Sequence, residues 1–189
     1  PSNMAPAQTS LLAKLDTQKR VRDFLTNAVA SGRASHAYLF LGAPGAGKLD
    51  AAWALAQAFL CEQDGCGACD SCVRVARHTH PDVHYYTPES ATGYLIAQTR
   101  ELLDDVPLAP IRAKAKVYII DRAEQLRANT ANALLKTLEE PPEGVMFILL
   151  GTSADVMLPT IVSRCQCVPF RLVSPAVAAR AVSLSLIHI

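Results

Sequence analysis

The glycine-rich segment at residues 42–48 (GAPGAGK) constrains the fold of this chain more than any other feature of the sequence. It follows the apolar, strand-length run Tyr38–Leu41 and precedes a predicted helix over Lys48–Phe59. Glycines in such a turn let backbone N–H groups face phosphate oxygens, and the helix N-terminus and a lysine add positive charge. The pattern therefore predicts a phosphate-binding loop; the alternative is an ordinary glycine-rich turn between a strand and a helix.

The residue after the lysine departs from the usual pattern of such loops. A serine or threonine hydroxyl normally binds magnesium at this position, whereas this chain has Leu49, which offers no oxygen ligand. We therefore expect the loop to bind phosphate and to support magnesium-dependent hydrolysis poorly. The residues that we assign to phosphate binding are Gly42, Ala43, Pro44, Gly45, Ala46, Gly47, Lys48 and Leu49, together with Thr152, which follows a later strand.

Short apolar runs alternate with helical stretches along the chain. This alternation predicts an α/β fold with a five-stranded parallel sheet that is covered by helices on both faces. In such a sheet, ligands bind at the carboxyl ends of the strands. The predicted strands are 38–41, 83–86, 117–120, 145–150 and 166–170, and later helices are predicted at 96–103 and 130–140.

A carboxylate ends the third predicted strand. Asp121 follows the apolar run VYII and suits a group that reaches a magnesium ion, although a cap or turn role is the alternative. Efficient nucleotide hydrolases often carry a glutamate directly after this aspartate, where this chain has Arg122. Glu124 is acidic but lies two positions further on. Leu49 and Arg122 therefore both argue against efficient hydrolysis.

Four cysteines lie within twelve residues, at Cys61, Cys66, Cys69 and Cys72. This spacing suits a closed tetrahedral zinc site, which would be structural because it leaves no open coordination position. A segment with so little apolar content needs a metal to hold its fold. An iron–sulfur cluster and a redox dithiol are the alternatives, but the fourth cysteine of a plant-type cluster is usually distant.

The composition excludes several classes of protein. Lysine plus arginine totals 18 and aspartate plus glutamate totals 17, so the chain is neither a strongly basic DNA-coating protein nor an acidic tail protein. No apolar run approaches the roughly 20 residues that span a bilayer. The first residues show no secretory signal pattern. We therefore expect a cytoplasmic protein with reduced thiols and no membrane association.

An arginine near the end of the chain is a further candidate site residue. Arg164 lies in the segment 158–165 (LPTIVSRC), between a short apolar helical stretch and a strand. An arginine in this place could reach the nucleotide of a neighbouring subunit, although surface salt bridges are the commoner role. Cys165 and Cys167 are expected to be small core residues.

Taken in order, these segments resemble the bacterial clamp-loader AAA+ subunits of the DNA polymerase III holoenzyme. The resemblance covers about residues 15–173 and implies a P-loop AAA+ domain at 1–173, with a zinc-binding insertion at about 61–72. Residues 174–189 would begin a helical lid that is truncated or ends in an artefactual tail. The segments that carry the resemblance are SHAYLFLGAPGAGK (35–48), the four cysteines, VYIIDRAEQL (117–126), NALLKTLEEPP (132–142) and LPTIVSRC.

Two branches of this family differ in their nucleotide motifs. The gamma/tau branch consists of ATP-hydrolysing motors, whereas the delta-prime branch often has degraded motifs but retains an arginine that acts on a neighbour's ATP. Leu49 and Arg122 together with a retained Arg164 resemble the delta-prime branch. By this resemblance, Asp121 is a degenerate Walker B residue, Arg164 acts in trans as an arginine finger, and intrinsic ATPase activity is weak or absent.

The resemblance also implies partners. The chain would join gamma/tau and delta-like subunits in a hetero-pentamer that loads a sliding clamp onto primed DNA, as a component of a DNA-directed DNA polymerase holoenzyme. Its cofactors would be structural zinc and, if the loop still binds it, ATP. One alternative is an active gamma/tau-type motor that uses Lys48, Asp121 and Glu124. Another is a zinc-dependent DNA-binding module, which the near-neutral charge disfavours.

Overall fold

A computed structural model describes residues 10–172. The expected start of a lid at 174–189 lies outside the described residues. The helices are α1 (Lys19–Ala30), α2 (Lys48–Leu60), α3 (Asp70–Ala76), α4 (Ile96–Asp105), α5 (Ala128–Glu139) and α6 (Pro159–Arg164). The strands are β1 (Ala37–Leu41), β2 (Val83–Tyr86), β3 (Lys116–Ile120), β4 (Val145–Gly151) and β5 (Gln166–Pro169). Single 3-10 turns lie at Leu12–Lys14, Ala123–Gln125 and Ala154–Val156.

The five strands form one parallel sheet in the order β2-β3-β4-β1-β5. The predicted five-stranded parallel sheet is therefore confirmed. Strand β4 pairs with β3 on one side and β1 on the other, so the carboxyl ends of β1, β3 and β4 lie side by side. This edge of the sheet is where ligands are expected in a fold of this class.

Side chains of the central strands alternate between two apolar layers. In β1, Tyr38 and Phe40 pack in the layer that contains α1 and α2, whereas Leu39 packs in the layer that contains α5 and α6. Because successive strand residues face opposite sides of a sheet, a strand with helices on both faces must be apolar throughout. The runs that predicted these strands are apolar for this reason.

Helix α2 connects the glycine-rich loop to the first cysteine and is almost entirely buried. It begins at Lys48, ends at Leu60 and is followed directly by Cys61. Its five alanines let it lie close to the sheet, and every residue from Ala51 to Ala58 is buried. Within residues 10–172, none of the helices combines the length and the apolar character needed to cross a bilayer.

Candidate functional site

The glycine-rich loop lies between β1 and α2 at the carboxyl edge of the sheet. Gly45 and Gly47 have φ angles of +84° and +91°, which glycine adopts without strain. Gly42 is needed for a different reason: a Cβ there would lie 2.8 Å from both the Cβ and the carbonyl oxygen of Phe170. Lys48 Nζ donates to the carbonyl oxygens of Gly42 and Gly151, the latter at 2.9 Å. The loop is thereby fixed against the ends of β1 and β4.

A cleft of about 440 Å³ opens beside this loop. The structure brings the predicted residues Lys48, Leu49, Asp121 and Thr152 together along its wall. Among the predicted loop residues, Gly42, Ala43 and Ala46 do not line it. The lining residues are Pro44, Gly45, Gly47, Lys48, Leu49, Asp50, Asp121, Arg122, Glu124, Leu150, Gly151 and Thr152.

The carboxylate of Asp121 is already held by two protein donors. Tyr85 Oη donates to Oδ2 at 2.9 Å, and the backbone N–H of Arg122 donates to Oδ1 at 2.9 Å. Burial raises the pKa of Tyr85, and its hydrogen bond to Asp121 adds to this effect. The guanidinium of Arg122 donates to Thr87 Oγ1 at 3.1 Å at the end of β2. A cation in the cleft would therefore have to share Asp121 with these donors.

Glu124 is a cleft residue whose position the sequence analysis left open. The 3-10 turn at Ala123–Gln125 returns its side chain to the cleft wall. Its Oε2 is buried and has no hydrogen-bond partner among residues 10–172. Burial lowers the pKa of Lys48, and the negative charges of Glu124 and Asp121 oppose this shift. The cleft thus contains Lys48, the three carboxylates of Asp50, Asp121 and Glu124, and the apolar Leu49 where a hydroxyl would bind magnesium.

The sulfur atoms of Cys61, Cys66, Cys69 and Cys72 all lie within 4.8 Å of one another. The Cys61–Cys69 and Cys66–Cys72 pairs have Sγ–Sγ distances of 3.8 and 4.0 Å. Four sulfurs bound tetrahedrally to zinc at about 2.3 Å would be about 3.8 Å apart. The four side chains therefore have the spacing of a closed tetrahedral metal site and could hold a metal ion.

Backbone N–H groups point at these sulfurs, as the stabilisation of thiolates requires. The N–H groups of Gln63 and Cys66 donate to Cys61 Sγ at 3.3 and 3.4 Å. Burial acts to raise the pKa of Cys61, but the backbone donors outweigh it and lower the pKa to about 6. Burial raises the pKa of the Cys72 thiol. A bound cation would supply the charge that keeps all four sulfurs ionised.

A hydrogen bond joins the cysteine segment, residues 61–72, to helix α2. Gln57 Nε2 of α2 donates to the carbonyl oxygen of Cys72 at 3.0 Å. Histidines that follow in sequence make other contacts: His78 stacks on Trp53 at a ring distance of 3.9 Å, and His80 lies 3.0 Å from Ser71 Oγ. The four cysteines are therefore the donor set within residues 10–172.

Arg164 ends α6 and lies outside the chain's own cleft. Its guanidinium contacts Glu139 at the end of α5 and remains about one third exposed. Cys165 is buried, as expected, but the prediction that Cys167 is a core residue was wrong. Cys167 is exposed because β5 is the edge strand of the sheet.

The sequence profile of a family described as "DNA polymerase III, delta subunit" matches residues 17–174. The chain belongs to the DNA polymerase III delta subunit family. The resemblance drawn from the ordered motifs is thereby confirmed.

Curated relatives of this family member include delta', gamma/tau and tau subunits of DNA polymerase III. It is 40% identical over 163 residues to DNA polymerase III subunit delta' of Bacillus subtilis, covering 85% of this chain and 49% of the relative. It is 38% identical over 167 residues to the gamma/tau subunit of Mycobacterium tuberculosis H37Rv, covering 86% and 29%. Subunit tau of Escherichia coli K12 is 42% identical over 152 residues, covering 78% and 23%. The chain thus spans about half or less of these relatives.

Solved structures show the same fold. A gamma subunit-related protein of Thermotoga maritima superposes with a TM-score of 0.57 at 21% identity, covering 80% of this chain and 46% of that one. The Thermotoga maritima RuvB Holliday junction branch migration motor superposes with a TM-score of 0.54 at 18% identity, covering 88% and 48%. The expected α/β fold with a five-stranded parallel sheet is therefore shared with these structures.

Proposed function

We propose that this family member is a delta-prime-like clamp-loader subunit that helps load a sliding clamp onto primed DNA. One combination of residues carries the proposal. The chain's own cleft has Leu49 and Arg122 at the two positions that hydrolysis needs most, while Arg164 is retained outside that cleft. Such a subunit can assist a neighbour's hydrolysis without performing its own. The relative named subunit delta' supports the same branch.

The partners follow from this function. Arg164 reaches the nucleotide of an adjacent gamma/tau-type subunit and stabilises charge on the transferred phosphate. The surrounding assembly is a hetero-pentamer with gamma/tau and delta-like subunits, which acts on the sliding clamp and primed DNA in the cytoplasm. The subunit is a component of the DNA polymerase holoenzyme and has little or no ATPase activity of its own.

The cleft binds ATP with reduced dependence on magnesium. The Lys48 side chain and the backbone N–H groups of Gly45 and Gly47, which line the cleft, face the phosphates, and Thr152 lies on the same wall. Asp121 contributes weakly because Tyr85 and a backbone N–H already occupy its oxygens. When bound, magnesium would supply charge for the phosphates, but Leu49 gives it no ligand from the loop.

Zinc is the metal that suits the cysteine cluster. Four thiolates with tetrahedral spacing and no open position are typical of structural zinc sites. Bound zinc would hold the segment 61–72 in place rather than take part in chemistry.

One observation favours the second candidate, an active gamma/tau-type motor. The unpartnered buried oxygen of Glu124 lies in the cleft with Lys48 and Asp121, where it could accept a proton from an attacking water. Magnesium-dependent turnover that is lost in both Lys48→Ala and Glu124→Gln would support this candidate. Turnover that is absent in the wild type favours the delta-prime-like function.

The decisive test uses Arg164→Ala in the full-length subunit, reconstituted into a complete clamp loader. We expect DNA-stimulated ATPase and clamp loading to fall by about tenfold or more, because an arginine finger stabilises the transition state. Arg33→Ala, an exposed arginine on the loop before β1, is the matched control and should behave as the wild type. Unchanged rates with Arg164→Ala would refute the proposed function.

A further inference from the structure

The side chain of Arg164 is held by two neighbouring groups. Its Nε donates to Glu139 Oε1 at 2.9 Å, and Nη2 donates to the same oxygen. Its Nη1 donates to the carbonyl oxygen of Thr160, one turn earlier in α6, at 3.2 Å. All three guanidinium nitrogens therefore have a partner in the chain.

These contacts still leave two donors available. A guanidinium carries five N–H bonds, of which Glu139 takes two and Thr160 takes one. One N–H on Nη1 and one on Nη2 remain. Two N–H groups on adjacent nitrogens form the fork that arginine uses to bind phosphate oxygens in pairs. The pair is also open to a neighbouring molecule, because the side chains of Arg164 and Glu139 are 33% and 50% exposed.

The two helices that carry this pair are fixed relative to each other. Leu134 and Leu138 of α5 pack in the same buried cluster as Ile161 of α6 and the following Cys165. Glu139 is the last residue of α5, which ends before Pro141. The carboxylate therefore projects from the end of a helix that the core holds in place.

We infer that Glu139 is a positioning residue for Arg164, which it orients toward the nucleotide of a neighbouring subunit. This inference rests on the proposed function of Arg164 in trans. A free arginine side chain samples many rotamers, and ordering it at the moment of reaction costs free energy. Glu139 and Thr160 hold the guanidinium plane beforehand, so that its remaining fork faces outward.

The opposite role makes the opposite prediction. If Glu139 masked Arg164 by competing with phosphate, its removal would raise the activity of the neighbour. If Glu139 positions Arg164, its removal lowers that activity. An exposed ion pair of this kind has an interaction energy that corresponds to about a two- to fivefold change in rate. The direction of the change therefore separates the two roles.

The experiment uses full-length subunits in a reconstituted loader with an active gamma/tau-type partner. Glu139→Ala should lower DNA-stimulated kcat by about two- to fivefold with KM for ATP unchanged. Glu139→Gln should recover part of the loss, because its amide oxygen still accepts from the guanidinium. The matched control is Glu140→Ala, since Glu140 is exposed and forms no salt bridge within residues 10–172.

A double variant separates positioning from an unrelated effect. In the Arg164→Ala background, Glu139→Ala should cause no further loss, because its effect acts through Arg164. A further loss there, or a wild-type or higher kcat for Glu139→Ala alone, would overturn the inference. If Arg164→Ala itself has no effect, the proposed function fails instead. Melting temperatures of all variants should match the wild type; if that of Glu139→Ala falls, Glu139→Gln replaces it in the comparison.

Discussion

Asp82 offers the sharpest test of how the loop before β3 is held. This carboxylate is fully buried and accepts three backbone N–H groups, from Ile111 at 2.6 Å and from Arg112 and Ala113 at 2.7 Å. Burial acts to raise its pKa, but these three donors outweigh it and hold the pKa below the usual range. Asp82 therefore fixes a loop that also contacts the cysteine segment, where Arg112 pairs with Asp70 at 3.0 Å.

We predict that Asp82→Asn lowers the free energy of unfolding by about 2–4 kcal/mol at pH 7. In the variant, the one amide oxygen can accept at most the N–H groups of Arg112 and Ala113, which both meet the same carboxylate oxygen in the wild type. The side-chain NH₂ group would then face the N–H group of Ile111, which is also a donor. A hydrogen bond to a charged acceptor contributes roughly 1 kcal/mol more to stability than a bond to a neutral acceptor. The loss of one of the three hydrogen bonds lowers the free energy of unfolding by a similar further amount. Urea unfolding of the wild type and the variant measures the difference.

The pH dependence of this difference has a definite sign. Because the folded pKa of Asp82 is lowered, its stabilisation is fully present above the ordinary aspartate pKa of about 3.9. It is lost as the pH falls through the lower folded pKa, so the difference between wild type and Asp82→Asn should begin to shrink below about pH 4 and disappear below the folded pKa. Asp104→Asn, at an exposed position of α4, should change stability little at any pH. A difference below about 1 kcal/mol at pH 7, or one that persists in acid, would refute this reasoning.

Three further predictions concern the cysteine cluster and the loop. Cys66→Ser should lose bound zinc and melt at lower temperature, whereas Cys167→Ser should keep its zinc; equal metal content by atomic absorption would contradict the assigned site. Gly42→Ala should lower the free energy of unfolding by about 1–3 kcal/mol in urea, and a wild-type value would show that the contact with Phe170 relaxes freely. Lys48→Ala should weaken binding of a fluorescent ATP analogue about tenfold, and Leu49→Thr should make that binding depend more strongly on magnesium. Binding that is unchanged in both variants would show that the loop does not bind phosphate.

The parts of the fold that the sequence predicted are those set by local pattern. Strand β2 has its predicted bounds, and the glycine-rich loop and the four cysteines are recognisable because their members are close in sequence. Helix α5 begins at Ala128 rather than at the predicted Thr130, since helix ends depend on caps as well as on periodicity.

The contacts that sequence reasoning missed join residues that are far apart in the chain. Glu139 meets Arg164 across 25 residues, and Asp82 meets Ile111 across 29. No spacing rule links such pairs, because their distance is set by how helices and loops pack on the sheet. Glu124 was named from the sequence only for the alternative motor, because its place in the cleft depends on one 3-10 turn that propensity does not predict.

Helix α2 connects the glycine-rich loop at its N-terminus to the cysteine segment at its C-terminus, so a movement of one end can be passed to the other. Its 13 residues run from Lys48 in the glycine-rich loop to the residue before Cys61, so the loop and the cysteine segment lie at opposite ends of a helix about 20 Å long. Because this helix is buried along most of its length and close packing resists bending, we expect it to shift as one unit. A tilt of about 5° at the loop would displace the far end by about 1.7 Å. A spectroscopic label on the cysteine segment should therefore respond to a change in the glycine-rich loop about 20 Å away.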